Sequence, residues 1–262
     1  MQLAVDLDPD AVAWYRANHL GVPVMLADVA SREVLSRVVA AAPDLLMASP
    51  PCQGFSDARR RFGDLDRHAV LRDQILHTRK VIDAARPRYV VVENVPNAEA
   101  DDATARWRES MRSMGYALRT ITLDALAFGV PQTRVCSFEL ATSSNAQRDA
   151  QSWGDAVLDD ASVVDDVFPR EDAPAMTSME SFAPGPDAPG SWRPIDELPP
   201  NARARVERLM WRPRDYAAAM GMADFKIPKA ASLTARLCGN AVCPAVMAAI
   251  VRAIKMHGGQ RG

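Results

Sequence analysis

Short apolar runs alternate with longer amphipathic stretches through the first half of this chain. Leu45-Leu46-Met47-Ala48 and Tyr89-Val90-Val91-Val92 are continuous apolar runs of strand length. That is the pattern of strands buried on both faces, as in a parallel sheet. Val5 to Leu7, Val24 to Leu26 and Leu118 to Leu123 read as further strands. Asp10 to Asn18, Arg32 to Ala41, Leu71 to Ala85 and Ala103 to Met114 read as helices, the last two stopped by Arg86-Pro87 and Gly115. Strands alternating with helices predict an α/β fold, a doubly wound and mostly parallel sheet whose ligands bind at the carboxyl ends of the strands.

The pattern fails near Thr142. Residues 142–205 are rich in Asp, Ser, Pro and Ala, with Pro174, Pro184, Pro186, Pro189, Pro194, Pro199 and Pro200 set against long helices. They read as a small irregular lobe. Residues 1–141 form the core, and 206–262 supply helices that return to it. Asn201 to Met210, Pro213 to Met220 and Pro244 to Met256 read as helical, the last preceded by a turn at Cys238-Gly239-Asn240-Ala241.

Composition narrows the class. The chain has 262 residues, 48% of them hydrophobic, which is enough for one large domain. No apolar run is expected to cross a membrane, and Met1 to Val5 lacks a signal-peptide pattern, so a cytoplasmic setting is expected. Cys52, Cys136, Cys238 and Cys243 have no zinc-type spacing and predict reduced thiols rather than a disulfide frame or a metal site. A formal charge of −2 argues against binding nucleic acid through bulk charge but leaves room for a local basic face.

The candidate chemistry lies where two strands end. The run at Leu45 leads into Ser49-Pro50-Pro51-Cys52-Gln53-Gly54-Phe55-Ser56, and the run at Tyr89 into Glu93-Asn94-Val95-Pro96. Parallel strands would deliver a thiol and a carboxyl to one sheet edge. The pair suits nucleophilic attack on a ring whose nitrogen needs a proton. Taken singly, a cysteine after a strand is ordinarily a small buried hydrophobe, and an aspartate at a strand end a helix cap. Cys238 and Cys243 are expected to be packing residues.

Several motifs in order resemble the S-adenosylmethionine-dependent DNA cytosine-5 methyltransferases. Asp6-Leu7-Asp8-Pro9 resembles the acidic strand end that holds the cofactor ribose, and Asp28-Val29 the element that reads the adenine. Pro50-Pro51-Cys52-Gln53 resembles the nucleophile motif and Glu93-Asn94-Val95 the acid motif. Gln132-Thr133-Arg134 resembles the family's Gln-x-Arg-x-Arg strand start. Arg214-Asp215-Tyr216 through Met222 resembles the helix before the last motif, and Gly239-Asn240-Ala241-Val242 the closing cofactor motif.

The resemblance implies a Rossmann-like methyltransferase core with a short target-recognition region at 142–205. It implies methyl transfer from S-adenosylmethionine to C5 of cytosine in double-stranded DNA, in a restriction-modification or phage setting. Cys52 would attack C6 of a flipped-out cytosine, Glu93 would hold the ring nitrogen and amino group, and Arg134 would stabilise charge at the ring carbonyl. Asp6, Leu7, Asp28, Val29, Pro50, Asn240 and Val242 would line the cofactor site. Gln53, Ser56, Arg59, Arg60, Arg61 and Gln132 would contact DNA, the arginines on a mobile loop over Asp57 to Arg72.

Three departures from the family stand out. No Gly-x-Gly precedes Asp6, where the family has a glycine-rich turn after a central strand. Cys136 stands where a second arginine is usual, and a neutral thiol cannot replace a guanidinium. The recognition region is acidic, with Asp155, Asp159, Asp160, Asp165 and Asp166, so no target sequence can be derived. These favour, as the alternative, a truncated or non-catalytic homologue, or one subunit of a split enzyme whose second chain supplies the missing motif. An RNA cytosine methyltransferase would share the chemistry.

Overall fold

The computed structural model describes residues 3–55, 65–130, 134–144, 154–158 and 213–257. Six strands are present there: β1 (Ala4–Asp6), β2 (Val24–Leu26), β3 (Leu45–Ala48), β4 (Tyr89–Asn94), β5 (Tyr116–Asp124) and β6 (Val135–Ser143). The helices are α1 (Pro9–Asn18), α2 (Arg32–Ala41), α3 (Leu65–Ala85), α4 (Asp102–Ser113), α5 (Pro213–Ala219), α6 (Ala231–Asn240) and α7 (Pro244–His257), with a short helical turn at 154–158.

The strands form two sheets. β1 pairs in parallel with β2. The other sheet has the order β3-β4-β6-β5, with β3 parallel to β4 and β6 antiparallel to both its neighbours. The α/β fold is therefore present, with mixed sheets rather than one mostly parallel sheet, and it is broken between β1 and β3. Among the described residues, each of these strands keeps one edge without a strand partner. Val5 of β1 and Leu46 of β3 nevertheless pack into one apolar cluster around Val34, Val38 and Val81.

β4 explains its own sequence. All six of its residues are buried. Val90 and Val92 face Ile75 and Ile82 of α3 and Trp107 and Met111 of α4. Tyr89 and Val91 face Val246, Ile250 and Ile254 of α7. With helices on both faces, no position on the strand is left for a polar residue facing water. β3, by contrast, is only partly covered, and Met47 remains 39% exposed.

Trp107 is fully buried, and its indole N–H donates to Thr78 Oγ1 at 2.9 Å. Trp107→Ala removes the largest buried side chain between α3 and α4. Chemical denaturation should register a loss of about 3–5 kcal/mol. A loss under about 1 kcal/mol would mean the cavity collapses.

The antiparallel strand β6 is legible in the sequence only at its start, through the Gln132-Thr133-Arg134 resemblance, and the helix α6 is not legible there. Gly239 and Asn240, expected in a turn, close α6 instead, and the break before α7 falls at 241–243. The stretch Ser232–Met256 is also long and apolar enough to cross a membrane by composition, with mean hydropathy 1.7. That corrects the expectation that no such run exists. Here half of it is buried, and Val246, Ile250 and Ile254 pack on the sheet as an ordinary core helix.

Candidate active site

β3 and β4 run in register from Leu45 opposite Tyr89 to Ala48 opposite Val92. The next positions are Ser49 and Glu93, then Pro50 and Asn94. Both pairs are joined by side chains. Ser49 Oγ donates to Glu93 Oε2 at 2.5 Å, and the Asn94 amide donates to Pro50 O at 3.4 Å. The turn that follows carries Cys52, half-buried, and tightens into a single helical turn, Gln53–Phe55, where Phe55 N donates to Cys52 O at 3.0 Å. Two prolines stiffen the approach, and neither removes a hydrogen bond that β3 needs.

β6 brings the third group. Asn94 lies opposite Ser137 and Glu93 opposite Phe138, so the start of β6 lies beside the end of β4. Arg134 stands just before that start, and its Nη1 donates to Gly239 O at 2.8 Å. Burial works to release its proton, but Cys136, Glu93 and Cys52 around it hold it above the ordinary arginine value. Arg134 is therefore a fixed cation facing both the thiol and the carboxyl. Glu93 is 5% exposed.

Cys136 joins this cluster. Its thiol is within hydrogen-bonding reach of Glu93 and of Arg134. Burial, followed by the Glu93 charge, pushes it up to about 12, so at neutral pH it is a protonated donor. Cys238 is likewise pushed up to about 12 by burial, and Cys243 is raised by burial too. These two fit the packing role expected of them. Cys52 is the one cysteine of the four that is not buried.

The candidate cofactor residues lie at the ends of β1 and β2. Asp6 and Leu7 are exposed there, Leu7 to 70%. Asp6 Oδ1 accepts from Asp8 N at 2.8 Å. Asp28 is exposed, accepts from Ala30 N at 2.7 Å and lies 4.0 Å from His77 Nδ1. Val29 packs into the cluster under α2. Asn240 is exposed at the end of α6, and Val242 packs on the edge of the main core. Exposed carboxylates thus stand beside exposed apolar surface at these two strand ends.

Arg236 of α6 ties the two sides of this region together. Its guanidinium pairs with Asp8 and, at 2.6 Å, with Asp10. Asp8 also caps α1 by accepting from Asp10 N at 2.8 Å. Partial burial would raise the Asp8 carboxyl, but Arg236 and the backbone N–H groups of Asp10 and Ala11 hold it below the usual value. The stabilisation is present above the unfolded carboxylate value and is lost as pH falls through the lowered one. Arg236→Met should cost about 0.5–1 kcal/mol at neutral pH and little once the pH has fallen through the lowered Asp8 value. Denaturation curves at both pH values would check this, and an equal loss at both would exclude the ion pair as the cause.

Other expected residues fall outside the described set: Ser56, Arg59, Arg60, Arg61 and Gln132, and most of the 142–205 region. Gln53 is described by its backbone alone. The turn 154–158 is described. Its Val157 is fully buried in the main core and its Asp155 pairs with Arg119 at 2.7 Å. Sequence reasoning also missed a buried pair, Arg108 of α4 with Glu139 of β6 (Nε to Oε2, 3.1 Å). It borders a cleft of about 490 Å³ that includes none of the thiol, carboxyl and guanidinium cluster.

Residues 1–174 match the family model of the C-5 cytosine-specific DNA methylases. Over 136 residues the chain is 32% identical to the type II methyltransferase M.HgiDI of Herpetosiphon aurantiacus, covering 52% of this chain and 42% of that protein. It is 33% identical over 137 residues to M.NaeI of Lentzea aerocolonigenes, covering 51% and 32%. The matches thus span less than half the length of these curated relatives. The fold is similar to that of the Dnmt2 methyltransferase of S. pombe, with a TM-score of 0.63, 17% identity and coverage of 97% of this chain and 90% of that one.

Proposed function

This chain belongs to the C-5 cytosine-specific DNA methylase family, and from that membership we propose that it transfers a methyl group from S-adenosylmethionine to C5 of cytosine in DNA. The observation that carries the reading is the meeting of Cys52, Glu93 and Arg134 at the ends of β3 and β4 and the start of β6. The setting is a restriction-modification system or a phage, in the cytoplasm, where DNA and the methyl donor are both present.

C5 of cytosine is a poor nucleophile. Attack of the Cys52 thiolate at C6 forms a sulfur–carbon bond and moves ring electrons toward the ring nitrogen and C5. Glu93 shares a proton with that nitrogen and accepts from the exocyclic amino group. Arg134, desolvated and fixed, stabilises negative charge at the ring carbonyl. S-adenosylmethionine supplies the methyl group that C5 then takes. Loss of the C5 proton to a base restores the double bond and expels Cys52. The base must leave the duplex stack first, and Gln53, Ser56, Arg59, Arg60, Arg61 and Gln132 are the proposed DNA contacts. Asp6 would hold the ribose and Asp28 the adenine amino group, with Leu7 and Val29 lining the same site. Pro50, Asn240 and Val242 close the site.

The broken sheet favours a second form of this reading. Among the described residues the edges of β1 and β3 without a strand partner suit one added parallel strand. In that form a second chain, carrying the glycine-rich turn, completes the cofactor site. Calorimetric titration of S-adenosylmethionine tests both forms. Binding by the chain alone supports a site that is complete as it stands. Binding only after addition of a chain with that motif supports the split enzyme. No binding in either case, from a folded protein, would overturn the methyl-transfer reading.

A further inference from the structure

We propose that Ser49 is a positioning residue for the reaction, aiming the Glu93 carboxylate and locking it to the turn that carries Cys52; the inference rests on the methyl-transfer reading above. Nothing in the motif resemblance assigns Ser49 a role. It is exposed, it lies beyond the last paired residue of β3, and its hydroxyl reaches Glu93 Oε2 at 2.5 Å.

The carboxylate's acceptor capacity explains why this matters. An ionised carboxylate has about four acceptor sites. Ser49 Oγ–H fills one on Oε2, and the Cys136 thiol lies near the same carboxyl. The capacity left over faces the ring nitrogen, with which Glu93 shares a proton, and the exocyclic amino group. With Ser49 in place, the plane of the carboxylate is set. Without it, a carboxylate that is 5% exposed can turn about its last bond and spend its free sites on Arg134.

The same bond acts on the nucleophile. Ser49 is three residues before Cys52, and Asn94, next to Glu93, holds Pro50 O at 3.4 Å. Thiol and carboxyl thus belong to one stapled unit rather than to two independent strand ends. Catalysis that depends on holding two groups at once is sensitive to small misplacements.

The test compares Ser49→Ala and Ser49→Thr with the wild type in three measurements: kcat for methyl transfer, the rate of covalent capture of 5-fluorocytosine DNA, and the Kd for S-adenosylmethionine. Ser49→Ala should lower both rates about tenfold, the value of one hydrogen bond to a charged group. Its Kd should stay within about twofold, since a tenfold effect confined to kcat is what loss of aim predicts. Ser49→Thr keeps the hydroxyl and should restore most of the rate. Wild-type rates in Ser49→Ala would overturn the proposal, as would equal losses in both variants or a parallel rise in Kd. A folded wild type that captures no fluorocytosine DNA, alone or with a chain that carries the glycine-rich turn, would instead bring down the methyl-transfer reading, and the role of Ser49 with it.

Discussion

Cys52→Ala should abolish covalent capture of 5-fluorocytosine DNA and reduce methyl transfer to background. Cys52 is the one thiol of the cluster that is not buried, so no partial activity is expected to survive. The loss should be clean. Cys52 lies on a turn held by backbone and neighbouring side chains: Phe55 N on Cys52 O, Ser49 on Glu93 and Asn94 on Pro50. None of these bonds uses the sulfur. S-adenosylmethionine binding and thermal stability should therefore match the wild type. The other three cysteines cannot substitute, because burial keeps each of them protonated at neutral pH. A DNA adduct trapped by Cys52→Ala would refute the assignment of the nucleophile.

Glu93→Gln should lower kcat by about 10²–10⁴, the usual range for loss of a positioned acid or base. Glutamine can still accept from Ser49, so the staple to the Cys52 turn survives. It cannot share a proton with the ring nitrogen. It also removes the negative charge beside Arg134, a guanidinium that would then keep Gly239 O as its recorded hydrogen-bond acceptor. Some loss of stability should accompany the loss of rate. Cofactor affinity provides the control, since Asp6 and Asp28 are on other strands. A fall in kcat below tenfold would show that Glu93 only supports the turn.

Cys136 is read differently in three dimensions. From the sequence it stands where the family has a second arginine and suggests impaired catalysis. In the structure it is 6% exposed and lies near both Glu93 and Arg134. An arginine there would place a second cation beside Arg134 in a buried setting.

Much of the architecture was legible in the sequence. β4 was readable because both its faces are buried, which forces a continuous apolar run. α2 was readable from its serine cap and its periodicity: Ser31 accepts from Val34 N, and Val34 and Val38 are its buried positions. The antiparallel strand β6 was not, beyond its start. Its buried Glu139 and Ser137 interrupt the apolar pattern, and Glu139 depends on Arg108, 31 positions away in the chain. α6 was hidden for a related reason, since glycine and asparagine at its end signal a turn when read locally.

The sequence by itself determined the kinds of chemical group present and the strand ends that carry them. An apolar run followed by Pro-Pro-Cys, and another followed by Glu-Asn, are local patterns that follow from burial and backbone stiffness. Only the tertiary structure decided which groups meet. The 44-residue offset that joins Ser49 to Glu93 and Pro50 to Asn94 is a matter of strand register. The pairing of Arg236 with Asp8 spans 228 positions. The break between β1 and β3 is likewise a property of pairing. Burial patterns are written residue by residue along the chain, whereas hydrogen-bond partners and free edges exist only once distant segments have been brought side by side.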